Sequence, residues 1–547
     1  MNRLCYPWFF AALFILCTPA LKGAQWFVSL SGNNANPGSV SMPFRDVQKG
    51  LDVMGPGDTV WVRAGVYTEK LIWQTSGSSA HKSLLSAYNN ETVVLDGSTS
   101  SNLAMIYIDS KSFLTISKLT LTNNFMQDAE GIHIVGTAQD ITIESCKINH
   151  IGWTSNANAD PYSVSPSGQS HGIIVNGRTV QGITNVSIRH CQLSDLITGN
   201  SEALTLVGNV NGFDVSHDTI HHTKNIGIVT AGHYAWAVDP GVPASLNQAR
   251  NGVISHNLVY ENRRFSNVDA PAGIYVDGGR DIQVFDNVVY NNGNGLSLGC
   301  ENGGASVASF VSFFNNRVYQ NDNHGIVFGA NAGLVKKCVL RNNTFYHNGT
   351  IQNWTSEVSL QKTDSCQILQ NILLPLSNLH YAASIFGYIT TQLTFDNNLA
   401  YRYTGYQGDL IYTGSPTQFT AINTLITDPQ MVNPATFDFG LLDASPCINA
   451  GLAAYGIPAQ TDALGNARLV NGNIDLGALE NTDGGCPAVH TVGSGQLLDG
   501  IFTASQKVVF AVNASSALPM VVNCPSVQVN SPLTLHALLS VDSQGCN

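Results

Sequence analysis

One polar slot returns along this chain at nearly constant spacing, and that return restricts the fold more than any other feature. In "VSFFNNRVYQN" (311–321), Asn316 sits between an apolar run and a valine–tyrosine pair. The same slot holds Asn257 in "GVISHNLVYEN", Asn287 in "IQVFDNVVYNN", Asn343 in "CVLRNNTFYHN", Asn371 in "CQILQNILLPL" and Asn398 in "LTFDNNLAYRY". Upstream it is occupied by Asp218, Cys191 and Cys146, and the successive spacings from Cys146 are 45, 27, 39, 30, 29, 27, 28 and 27 residues. Asparagine is poor in an isolated strand, because its side chain competes for backbone hydrogen bonds. A repeat of this length is instead one supersecondary unit that buries its apolar face against copies of itself.

A second register runs between the first: "EGIHIVG" from Glu130, "HGIIVNG" from His171, "EALTLVG" from Glu202, "AGIYVDGG" from Ala272, "NGLSLGCE" from Asn294 and "HGIVFGAN" from His324. Each is a short alternating strand closed by a glycine turn. Two short strands per repeat, with almost no helical periodicity, predict an all-β chain wound as a parallel β-helix. Coils in such a solenoid lie about 4.8 Å apart, so the recurring asparagines stack into a ladder. Each amide then donates to one neighbouring coil and accepts from the other. The ladder is architecture, since buried amides persist where they satisfy one another.

The ends carry different signals. Residues 1–24 combine Arg3, an apolar run from Trp8 to Cys17 and small residues near Ala20 to Ala24. That pattern reads as a secretory signal too short to anchor a membrane, which makes the chain extracellular or cell-surface. Without Arg3 and Lys22 the remainder holds 23 basic against 37 acidic residues, a net −14. Such a chain is a poor partner for nucleic acid or an anionic membrane. One helix, Arg45 to Met54, is expected to cap the open N-terminal end of the stack. The turn-rich stretch 445–480 is expected to close the other end, and residues 486–547 read as a small separate β module. Cys338 and Cys366 share a slot on consecutive coils, as do Cys146 and Cys191, pointing to buried stacks or disulfides rather than zinc.

The opening "FVSLSGNNANPGSVSMPFRDVQKGLD…GPGDTVWVRAGVYTE", the middle "AGIYVDGGRDIQVFDNVVYNNGNGLSLGCENGG" and the closing "SPCINAG…TDALGNAR…NIDLGALE" together resemble secreted right-handed parallel β-helix proteins of the pectin-lyase-like superfamily. The resemblance covers about residues 25–480. It implies a carbohydrate-active protein, because that superfamily includes pectate, alginate and chondroitin lyases and several glycoside hydrolases.

Function in a solenoid is built from outward side chains of stacked strands and from loops inserted between coils. Three insertions, 151–170, 231–250 and 262–271, fall in the central coils. They bring Trp153, Tyr162, Tyr234 and Trp236, whose flat faces can stack on sugar rings or pin their own loops. Aligning the second register puts Glu130, His171 and Glu202 in one slot, for which a ladder of surface hydrogen bonds competes with a site. The same alignment puts Asp277 and Glu301 on neighbouring coils, Glu301 two positions further round. Their carboxyl groups are then roughly 5–9 Å apart, and two acids so placed push each other's pKa apart into a proton donor and a base or nucleophile.

Asp277, Glu301 and Glu202 are therefore the candidate catalytic residues. His233, Arg280, Tyr275, Trp236, Tyr234 and Trp153 are the candidate substrate-binding residues. The bland reading of Asp277 is an ordinary Asp-Gly turn. "GNSEALTLVG" resembles the asparagine-then-glutamate strand of alginate and chondroitin lyases, but no matching lysine follows. Hydrolysis of a polysaccharide is favoured over elimination, with a non-catalytic glycan-binding or adhesive surface protein as the alternative. No cofactor is required by any motif; calcium stays open through Asp and Glu side chains without EF-hand spacing. The expected state is a monomer with a polysaccharide as its partner, no nucleic acid and no membrane insertion.

Overall fold

The computed structural model describes residues 23–482 except 100, 264–270, 331, 386–389, 406–408, 414–418, 457, 458 and 471; beyond 482 it describes only the backbone of eight short strands between 488 and 541. Most of the segment read as a secretory signal, most of the 262–271 insertion and the side chains of the 486–547 module lie outside the described residues.

The chain winds into a parallel β-solenoid built from one 16-stranded and two 12-stranded sheets. Most coils contribute one strand to each sheet, so there are three strands per turn where two were expected. The third sheet escapes sequence reading because its strands are as short as Leu258–Tyr260, Val288–Tyr290 and Arg317–Tyr319, too brief to show alternation.

Inward residues form columns at constant register. Ile254, Val284, Phe313, Leu340, Ile368 and Phe395 pair in succession and are fully buried. Each such side chain contributes about 1.5–3 kcal/mol of burial, so the column is a large part of what holds the coils together. Outward rings repeat the coil spacing: Tyr260, Tyr290 and Tyr319 stack at 5.0 Å per step.

The asparagine ladder is continuous. Asn257, Asn287, Asn316, Asn343 and Asn371 each donate Nδ2 to the Oδ1 of the next coil's asparagine at 2.9–3.0 Å, ending at Asn398. That same Oδ1 also accepts the preceding asparagine's backbone N–H. A second ladder runs five residues later through Asn262, Asn292, Asn321 and Asn348, and ends on the buried carboxylate of Glu357.

The helix Val47–Val53 covers the N-terminal end with Val47 and Leu51. Its first two N–H groups are capped by the Glu69 carboxylate at 2.8 and 2.9 Å. The 445–480 stretch does not simply close the far end. It runs back along the flank of the solenoid, where Asp475, Ala450 and Thr461 carbonyls accept from Asn342, Asn397 and Asn315. The reason is apolar: Tyr319, Tyr346, Ile372 and Leu399 face outward there and are covered by Phe439, Cys447, Leu476 and Leu479. The described cysteines, including Cys146, Cys191, Cys338 and Cys366, are buried free thiols. No helix among the described residues is long and apolar enough to cross a membrane.

Candidate active site

Alternation along the strand Ala272–Asp277 sends Ile274 and Val276 into the core and leaves Tyr275 and Asp277 facing outward. The next coil's strand, Asn294–Gly299, pairs Asp277 with Gly299, which places Glu301 two residues further round. Gly299 leaves room there for the Tyr275 hydroxyl, which a Cβ would approach to 2.8 Å. The insertion after Ala231 folds back over this point and lowers Tyr234 between the two acids. Its base is fixed by Gly232 N–H donating to Asp277 O at 2.8 Å and Asn247 Nδ2 to Tyr234 O at 2.9 Å.

The resulting contacts form a chain. The Tyr234 hydroxyl lies 2.5 Å from Asp277 Oδ2 and 3.3 Å from Glu301 Oε2. Those two lengths cap the separation of the two carboxylate oxygens at about 6 Å, within the range over which paired acids act together. Asp277 Oδ1 accepts the Glu301 backbone N–H at 2.8 Å, and the Tyr275 hydroxyl reaches Glu301 Oε1 at 3.4 Å. Asp277 is only 2 % exposed, whereas Glu301 is open to solvent.

Burial, with the Glu301 charge beside it, raises Asp277 to about 7. Burial also raises Glu202 to about 7, with the charges of Asp277 and Glu301 adding to the effect. Thr205 Oγ1 donates to Glu202 Oε2 at 2.9 Å and lies 3.1 Å from His171 Nδ1. His171 itself is lowered to about 3 by burial and by His133, so it stays neutral.

These residues line a continuous groove on the outer face of one 12-stranded sheet. One part, about 250 Å³, is lined by Glu202, Tyr234, Trp236, Asp277 and Glu301; the other, about 690 Å³, by Tyr162, Ser297, Glu301 and Gln361. Tyr275 and Glu301 belong to both.

Residues 26–364 match the family described as "Pel9A-like, right handed beta helix region". This chain belongs to the Pel9A-like β-helix family. The uncharacterized protein YwoF of Bacillus subtilis (strain 168) is 28% identical over 369 residues, 64% of this chain and 75% of that protein. Pectate lyase PEL9 of Emericella nidulans is 35% identical over 92 residues, 16% of this chain and 22% of that protein. The structure of XylC in complex with xylose superposes with a TM-score of 0.51 at 11% identity, covering 83% of this chain and 98% of that one, a likeness of fold alone.

Several residues singled out in the sequence of this Pel9A-like chain stand elsewhere. His233, at φ +69°, turns away from the groove. Its Nε2 meets Val307 O at 3.1 Å and Gln248 Nε2 at 2.9 Å, so it ties the insertion to the loop after Glu301. Arg280 begins the strand Arg280–Phe285 of a different sheet and pairs with Asp281 at 2.6 Å. The Gly278–Gly279 turn separates it from Asp277 and points it around the corner. Trp153 is half-buried beneath its own insertion, where a Cβ on Gly168 would lie 2.4 Å from the indole. Glu130 pairs with His133 on its own strand at 2.8 Å, rather than continuing a ladder through His171. Among the described residues no cluster of three or more His, Cys, Asp or Glu is arranged to hold a metal ion. Each oxygen of Asp277 accepts one hydrogen bond, Oδ2 from the Tyr234 hydroxyl and Oδ1 from the Glu301 N–H.

Proposed function

We propose that this chain is an extracellular enzyme that hydrolyses glycosidic bonds in a polysaccharide. The observation that carries the reading is the Asp277–Tyr234–Glu301 chain: a buried acid that keeps its proton to about pH 7, one hydroxyl, and an exposed carboxylate. Asp277 passes its proton to the Tyr234 hydroxyl, which passes its own to the leaving glycosidic oxygen as the C–O bond breaks. Glu301 acts at the sugar carbon, either by attacking it or by taking a proton from the attacking water. The balance is one water consumed, its hydroxyl left on the new reducing end and its hydrogen on the departing sugar. Glu202, held largely protonated below pH 7, lies on the same groove as a second acid.

Elimination is less well supported. It needs a base to remove a carbon-bound proton, and no lysine or arginine is among the described residues lining the groove. Among the other groups on the groove, Tyr234 and Tyr275 are pushed well above their ordinary range by burial and by the adjacent acids, which suppresses their phenolates, and burial lowers His171 to about 3, which makes it a weak base. The membership of a polysaccharide-acting protein, PEL9, among the relatives supports the carbohydrate substrate.

The test is a screen of pectic, alginate, xylan and glycosaminoglycan polymers, read for new reducing ends and for ultraviolet-absorbing unsaturated uronides. Reducing ends alone, lost in both Asp277→Asn and Glu301→Gln, are expected. Unsaturated products would replace the hydrolytic reading with elimination. Binding without turnover, unaffected by either amide, would identify a non-catalytic glycan-binding protein.

A further inference from the structure

The groove's charge restricts which polysaccharide it can hold. Its described lining carries three acids, Glu202, Asp277 and Glu301, and no lysine or arginine. Four arginines of the surrounding coils are committed elsewhere. Arg178 pairs with Asp239 at 2.9 Å, Arg263 with Asp322 at 2.8 Å and Arg280 with Asp281 at 2.6 Å. Buried Arg250 is held by the Leu246 and Gln248 carbonyls and by Asn209 Oδ1. The one lining histidine, His171, is neutral over the whole working range.

A chain of uronates laid in this groove would bring a row of carboxylates against three acids with no described cation to meet them. Where the acids are ionised, like charges in a partly desolvated cleft repel; where Asp277 and Glu202 keep their protons, to about 7, the described lining still offers a uronate no lysine or arginine to pair with.

What the groove does offer suits neutral sugars. Beyond the acids and tyrosines, its polar lining includes the amides of Gln169, Asn200 and Gln361 and the hydroxyl of Ser297, which can exchange hydrogen bonds with sugar hydroxyls. Trp236, 57 % exposed, stands beside the Glu202 half, and Tyr162, 58 % exposed, beside the Glu301 half. Such faces match the C–H faces of pyranose rings. The groove crosses the strands from Ser170–Gly177 to Ser356–Leu360, six coil steps or about 29 Å, so a polymer lies along the solenoid axis.

Resting on the hydrolytic reading for its site but not for its logic, we infer that the groove takes an uncharged polysaccharide and rejects uronate-bearing ones. The experiment is native affinity electrophoresis of the full chain as Glu301→Gln, which retains the groove without turnover. The gels contain β-glucan, xylan or mannan as uncharged polymers, or polygalacturonate or alginate as charged ones, with a chelator or with added calcium.

The expected result is retardation by at least one uncharged polymer, at least tenfold stronger than by either uronate in chelator. Trp236→Ala should weaken it about tenfold while Trp236→Phe restores most of it. Equal or stronger retardation by a uronate, in chelator or only with calcium bridging it to the acids, overturns the inference. So does failure of every uncharged polymer to bind. Binding of an uncharged polymer that the wild type never cleaves sinks the hydrolytic reading and leaves this one intact. Hydrolysis of a uronate does the reverse, and its elimination sinks both.

Discussion

Replacing Asp277 by asparagine separates the proton held at this site from the shape of the side chain. The amide Oδ1 can still accept the Glu301 N–H, and Tyr234 can turn its hydroxyl to accept from Nδ2. What disappears is titration. The folded carboxyl keeps its proton to about 7, against an ordinary value near 4 in the unfolded chain. Stability contributed by this raised acid is complete below the unfolded value and drains away as pH rises to the folded one. Integrating the proton difference between pH 5 and pH 8 gives a loss of roughly 2–3 kcal/mol for the wild type that the asparagine variant does not suffer. Urea denaturation followed by intrinsic fluorescence, at both pH values, reads this directly. The variant should gain on the wild type between pH 5 and pH 8, while turnover falls at least about a hundredfold at either pH. A stability gap that does not change with pH would refute the claim that Asp277 is a proton-holding acid in the folded state.

Three other outcomes follow from the same geometry. Tyr234→Phe removes the hydrogen bond that pulls Asp277 downward, so its pKa should rise further; turnover should drop at least tenfold, with the alkaline limb of the residual kcat/KM profile moved to higher pH. Asn316→Ala strands the Asn287 backbone N–H in the core and leaves Asn287 Nδ2 with Ile254 O alone, and the two lost buried hydrogen bonds should cost about 2–4 kcal/mol, measurable as a lower denaturation midpoint. Cys338 and Cys366, buried and unpaired, should resist alkylation in the native protein and label fully on unfolding, as peptide mass mapping would show.

The parts of the fold that repeat were legible, and the parts that do not repeat were not. Asn316 could be read as a ladder residue because every coil must return an amide to that slot. The second ladder, through Asn262, Asn292 and Asn321, closes the same quoted segments, yet a lone asparagine after tyrosine reads as a turn until register shows it stacked. The Asp277–Glu301 adjacency follows from winding at the chain's own period, since Asp277 pairs with Gly299. The role of Tyr234 does not. It reaches across 43 and 67 residues from an insertion that obeys no period, so only its aromatic character was visible. His233 shows the converse error: slot counting carried into an insertion put it beside Glu301, whereas a left-handed backbone turns its ring toward Val307. The return of 445–480 along the flank was hidden for the same reason, because it answers exposed aromatics on distant coils rather than a local pattern.

The most direct measurement is to run the cleavage reaction in heavy-oxygen water and weigh the fragments by mass spectrometry. The acid pair joined through Tyr234 requires water to end on the new reducing sugar, so one labelled oxygen per broken bond is the predicted result. Unlabelled fragments carrying a carbon–carbon double bond would contradict it.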